Sequence, residues 1–542
     1  MKMIKKALNI TVALFCIAGF AYGQSINDVR KAIEVEQYEK AKAMLSKLAS
    51  NPATTAESYY YMGDVYVKTL EFDSAQVFFD KGVAANPQFG LNYVGQGKLS
   101  ILKKNFVSAK PLFDKAIALG QKEKDYRPYL ETAKAYALAG EEGDAASIET
   151  AIAYIEQAKK IASKNPEVYT TLGNAYLLKK DGNNAIANYN KALELDKNYV
   201  AAYVAQSHIY RGAQNYESSL APLEKAISID PNYAPAYREL AELYAVSGQY
   251  AKATETYKNK YLPLTDASCN SNTRYASVLF LAKQYQSAYD QINLLLKTCQ
   301  VKPVMYRLLA YSAYEIKKPT EALEAMNTFF QKQPESNVIT QDYEYMAKIL
   351  SDNKKDSLAI AYMQKALVKD PSKIDLYPLL GKMSYLSKQY PTAIKAYDSY
   401  FAIPNVKKQP VDYLYYGLSA MRVENYKKAD SAFLKVTELS PTYIQGYLYR
   451  GQANAAQDKD SKLGLAKPYY EKVVELGEAD KQKNAKYLIE AYDYLGSYAY
   501  LVQNDLTAAK SFYNKVIEID PANQKALEVI KGLNTTGGKN KK

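Results

Sequence analysis

Apolar residues along this chain come in two short bursts at helical spacing, pause at a polar or turn-forming stretch, and then repeat. In the unit beginning at Pro166, Tyr169, Leu172, Gly173 and Tyr176 occupy unit positions 4, 7, 8 and 11, and Ala185, Tyr189 and Ala192 occupy 20, 24 and 27. At 100° per residue each set falls on one face, so each burst predicts an amphipathic helix. A small residue preceded by an apolar one marks the units at Gly63, Gly97, Ala133, Gly173, Ser207, Ala241, Ala276, Ala310, Ala347, Gly381, Gly417, Gly451 and Gly496, and many of the steps are 34 residues. The phrase KAISIDPNY at 225–233 returns as KALELDKNY at 191, KALVKDPSK at 365, KVTELSPTY at 435 and KVIEIDPAN at 515. Its proline lacks an N–H and disfavours helix just before it, so the phrase predicts a helix ending.

A small residue at position 8, Ala at 20 and Pro at 32 recur together, and this unit resembles the tetratricopeptide repeat. The likeness runs from about residue 25 to 521 in roughly fourteen units, with insertions near 140–150 and 455–465 and no Trp at position 4. It implies an all-α fold: a right-handed superhelical solenoid of antiparallel helix pairs, without a sheet. The turn-rich stretches LPLTDASCNSNT (262–273) and IPNVKKQPVD (403–412) predict bends. The expected organisation is a signal peptide at 1–23, repeat blocks at 24–265, 266–407 and 408–521, and a capping helix with a basic tail at 522–542.

Residues 1–23 set the expected location. MKMIKK is a charged n-region, ALNITVALFCIAGF an apolar h-region, and Ala21-Tyr22-Gly23 a small-residue cleavage site, which predicts export to a periplasm or envelope. Acylation of Cys16 is disfavoured by Phe15 before it and by its place inside the apolar run. That run is shorter than a membrane span needs, so no transmembrane segment is expected after cleavage, and at most a peripheral envelope association. The net charge is +13, but acids and bases alternate along most of the chain; this reads as a solvated helix surface and excludes nucleic acid as the expected partner.

Little catalytic chemistry is available. His208 is the single histidine and Cys16, Cys269 and Cys299 are the only cysteines, so a zinc site or a nucleophile triad lacks parts. YVGQGKLS (93–100) misses a phosphate loop, because Asn92 stands where Gly is needed and Leu99 where Ser or Thr is. No catalytic residue, cofactor or metal is expected. Family members are usually scaffolds that hold a peptide or protein in the groove lined by their first helices. Some carry a Lys-to-Asn carboxylate clamp, which is missing here: Thr170 precedes Asn174, and Arg450 precedes Asn454.

With positions 4, 7, 8 and 11 turned inward, positions 2, 5, 9, 12 and 13 form the opposite face of each first helix. This predicts a polar partner-binding floor of Asn174, His208, Arg238, Glu242, Arg307, Tyr311, Glu344, Lys348 and Lys382, and an apolar strip of Val411, Leu414, Leu418, Met421 and Leu448. Cys269 and Cys299 fall at positions 1 and 31, ends that lie side by side in an antiparallel pair, so a disulfide fits, with free thiols as the alternative. The function expected is a non-enzymatic scaffold of the bacterial envelope. The alternative is a carbohydrate or cell-wall binding or modifying protein that uses groove tyrosines and acids.

Overall fold

A computed structural model describes residues 25–266 and 268–537. The expected signal peptide and most of the basic tail lie outside them. Among the described residues there is no strand; fourteen helix pairs run from Ile26–Glu34 with Tyr38–Leu48 to Lys481–Leu501 with Leu506–Ile519. A last helix, Gln524–Gly537, sets Ala526 and Leu533 into the core beside Leu488 and Tyr492, so it caps the array with packed apolar surface. The chain forms two compact units, one ending at Ser312 and the other beginning at Ala313.

Size matching across each pair organises the core. A Cβ at position 8 would lie 2.4 Å from Phe79 at Gly63, 2.4 Å from Phe113 at Gly97, 2.3 Å from Tyr189 at Gly173, and 2.5 Å from Tyr397 and Phe433 at Gly381 and Gly417. Those rings are fully or almost fully buried. Where position 8 is Ala276, Ala310 or Ala347, the matching residue on the second helix is Ile292, Met326 or Met363 instead, and Ser207 is matched by Leu223. A missing methyl group on one helix makes room for a ring on the other, keeping interior density. Ala241 is the exception: it faces the register of Tyr257, where the second helix widens into the π-helical turn Tyr257–Tyr261.

The turn inside each pair is built alike. A residue with positive φ closes the first helix, as at Leu70, Lys104, Lys180, Gln214, Lys283, Lys354 and Lys388. The amide after it bonds back into the helix, as Asn105 N does to Ser100 O at 2.9 Å. That next residue then caps the second helix: Asn105 accepts from Ser108 N, Asp181 from Asn184 N and Asn215 from Ser218 N. Gly248 fills this left-handed position in the seventh pair.

KAISIDPNY ends a helix as expected: the second helix of the sixth pair stops at Ile229, Asn232 N donates to Asp230 Oδ1 at 2.9 Å, and the next helix starts at Ala234. The insertion near 140–150 is absorbed by a turn at Gly143 and a 17-residue second helix, Ala145–Ile161. The one near 455–465 is a loop in which Asp458 accepts from Leu463 N and Leu465 N. Cys269 and Cys299 are joined in a disulfide, with Cα atoms 5.8 Å apart.

Candidate functional site: a charged chamber in the first unit

The first helices of the early pairs surround a chamber of about 1070 Å³. Its wall follows the positional rule: Arg127, Glu167 and Ala201 come from position 2, Tyr60, Leu130 and Thr170 from 5, Asp64, Lys98, Lys134 and Asn174 from 9, and Val67, Lys68, Leu102 and Leu138 from 12 and 13. Of the fourteen floor and strip residues named from the sequence, Asn174 alone lines it. Asp64, Lys98 and Lys134 satisfy the same rule in earlier repeats, so applying it from the first unit onward finds them.

Ion pairs line the chamber. Lys98 Nζ lies 2.8 Å from Asp64 Oδ1, one repeat away at the same unit position, and both side chains are nearly buried. Lys134 Nζ lies 2.7 Å from both Glu131 and Glu167, and Glu167 also accepts from Arg30 Nη2 at 2.8 Å. Arg127 bridges Asp125 and Glu57. The Lys134 ammonium holds the Glu167 carboxyl down at about 2, against the opposing effect of burial. For Asp64 burial pushes upward, but the Lys98 and Lys68 charges outweigh it and hold the group at about 2.

Acid should therefore loosen this unit. Both carboxyls are lowered below their ordinary values, so their contribution is complete above about pH 4 and is lost as pH falls toward about 2. Glu34, raised by burial, acts in the opposite sense. Acid titration followed by circular dichroism should show a transition in that window, and the double variant Asp64→Asn, Glu167→Gln should flatten it.

The first pair closes the unit upon the seventh, a contact with no counterpart in the sequence reading. Tyr233 Oη donates to Glu34 at 2.9 Å, Gln37 Nε2 to Leu264 O at 3.1 Å, and Glu39 N to Asp266 Oδ2 at 2.6 Å. Glu36 pairs with Arg238 and accepts from Tyr261 Oη, and its carbonyl accepts from Asp266 N at 3.4 Å. Val35 supplies the apolar part, against the cluster around Leu223, Tyr233 and Leu243.

The other predicted floor residues divide. Asn174 is exposed and accepts from Tyr189 Oη at 2.7 Å. His208, Arg211, Glu239, Glu242 and Arg274 form one ionic ladder, with Arg211 Nε 2.6 Å from Glu239. Arg238 is engaged by Glu36, and Arg307 is half-buried. Tyr311 does not lie on an open floor: it is 2% exposed and packs near Phe280, with ring centroids 5.9 Å apart. In the second unit Lys348 pairs with Glu344, and Lys382 lies over the Tyr415 ring.

The apolar strip also needs correction. Val411 is 48% exposed, but Leu414, Leu418 and Met421 are half-buried against the cluster of Ala420, Phe433 and Val436. Leu448 is 4% exposed, in a core with Tyr470, Val473 and Leu495. Packing by its own second helix, through Tyr470 and Val473, and by Leu495 of the following pair accounts for Leu448, and aspartate at 414 and 418 would disturb packing as well as any partner contact.

Family models described as tetratricopeptide repeat match residues 166–199, 200–233, 223–255 and 489–523. The C-terminal part of a TPR repeat-containing protein from Cytophaga hutchinsonii, solved as a crystal structure, is 36% identical over 47% of this chain and 98% of that one, with a TM-score of 0.40. A TPR repeat-containing protein of Methanocaldococcus jannaschii is 27% identical over 43% of this chain and 36% of its own length. Anaphase-promoting complex subunit 3 of Schizosaccharomyces pombe is 26% identical over 30% of this chain and 23% of its own. The chain thus spans about a third or less of the length of these curated relatives.

Proposed function

Because the chain belongs to the tetratricopeptide-repeat family, with several matched repeats and 36% identity over nearly all of a solved member, we propose that it is a non-enzymatic protein-binding scaffold of the bacterial envelope. Its partner is a peptide or protein segment taken up on the inner faces of the first helices. The observation that carries this reading is the chamber wall: positions 2, 5, 9, 12 and 13 of successive pairs converge on one open space of a size suited to a short segment. Its charges are largely matched among themselves, so a mixed polar and apolar segment fits better than a strongly charged one.

A sugar-binding role needs exposed, coplanar tyrosines beside acids. Of the five tyrosines lining the chamber, Tyr60, Tyr61 and Tyr233 are 2%, 9% and 7% exposed, Tyr126 and Tyr199 are half-buried, and the Tyr60 and Tyr61 rings meet edge to face at 67°, which favours the peptide reading. Export rests on residues 1–23. The test is affinity capture from an envelope fraction. Reversing the two exposed lysines of the wall, Lys31→Glu with Lys68→Glu, should reduce recovery of the partner by about tenfold, roughly 1.4 kcal/mol; undiminished recovery would contradict binding in the chamber.

A further inference from the structure

The seam between the first and seventh pairs differs in chemistry from the contacts inside the stack. Neighbouring pairs share continuous apolar clusters, as from Val29 through Met44, Tyr60 and Phe79 to Phe113. The seam instead joins residues 199 to 227 apart by one ion pair, Glu36 with Arg238, and single hydrogen bonds, with Val35 as its main apolar contact. The Glu36–Arg238 pair is partly open to solvent, its side chains 13% and 28% exposed, so salt reaches and weakens it. Elements held that way open well below the free energy of global unfolding.

We propose that the first unit is a split ring: the seam at Glu34–Glu39 and Tyr233–Asp266 opens reversibly and admits an internal segment of a protein partner sideways into the chamber. This rests on the peptide-binding reading above for the identity of what enters, but not for the opening itself. Helix pairs stacked mainly on their neighbours flex by small rotations that add along the stack, and the further polar tie of the first pair across the chamber, Arg30 to Glu167, must yield with the seam. Parting the seam therefore needs no pair to unfold. The Ile26–Glu34 and Tyr38–Leu48 hairpin keeps its apolar contacts with Tyr60, Tyr61 and Val65 on the opposite side. A partner without a free end near its binding segment could not thread a closed ring, whereas a seam that parts gives it entry from the side.

Spin labels at the exposed Lys40→Cys and Lys260→Cys, in a Cys16→Ser background of the full chain, read the seam by pulsed electron resonance with no partner present. One short distance is expected at about 50 mM salt, and a second, longer distance at about 1 M, where the screening length is about 3 Å. Arg238→Ala should populate the longer distance already at low salt. Hydrogen exchange at 34–39 and 264–266 should quicken about tenfold in that variant, while residues 91–113 keep their protection. A Glu36→Cys, Asp266→Cys disulfide should hold the short distance at every salt concentration. A single unchanged distance across salt and Arg238→Ala would overturn the split ring. Should Arg238→Ala fail to fold, the salt series on the otherwise unaltered labelled chain decides the matter alone. Loss of partner capture with an opening seam would count against the peptide reading and leave the split ring standing.

Discussion

Replacing Lys98 with Met should lower the stability of the first unit by about 3–5 kcal/mol, because it strands a buried carboxylate. Lys98 is 6% exposed and its ammonium sits 2.8 Å from Asp64 Oδ1. Met has a similar shape, so the loss would come from Asp64 left unpaired rather than from a cavity. Two further outcomes follow. The Asp64→Leu, Lys98→Met double variant should recover most of the deficit, since removing both charges removes the desolvation cost with them. In the single variant Asp64 would become easier to protonate, so the deficit should shrink as pH falls, opposite to the acid response of the natural chain. Urea unfolding at neutral and acid pH checks both. A single variant as stable as the natural chain would mean that the pair is solvated.

Gly97→Val should cost about 1–3 kcal/mol. A Cβ there would lie 2.4 Å from the Phe113 ring, which is fully buried, so the ring must shift within the core. Combining it with Phe113→Leu should restore part of the loss, because other pairs already match a larger residue at position 8 with an aliphatic one, as in Ala276 with Ile292. The coupling between the two sites, read by thermal unfolding of the single and double variants, should be positive; strict additivity would show that the glycine serves the backbone instead of making room for the ring.

Most of the architecture was legible because it is local. A 34-residue period, the helix-ending phrase and the alternation of apolar faces are each written within one unit, and they place the pairs, the turns and the chamber-facing positions. Cys269 and Cys299 could be paired because both lie at the ends of one predicted hairpin. Contacts that depend on rotation accumulated over many pairs were not legible. No local feature of Glu36 announces Arg238, 202 residues away, or Tyr261, 225 away. The errors at Tyr311 and Leu448 have a related cause: a face computed for one isolated first helix says nothing about what other helices cover, and Phe280 of the preceding pair packs near Tyr311 while Tyr470, Val473 and Leu495 share a core with Leu448. Complementary sizes at positions 8 and 24 were written in the sequence but emerge only when the units are compared with one another.

Partner engagement on the inner face is tested most directly by a photo-reactive residue placed at Lys68 or Asn174 in the chamber wall, or at Val77 or Val107 on second helices, where Val107 is 87% exposed. After irradiation of intact cells, mass spectrometry should find discrete partner adducts at 68 and 174 and none at 77 or 107; adducts confined to the second-helix positions, or equal at all four, would contradict binding in the chamber.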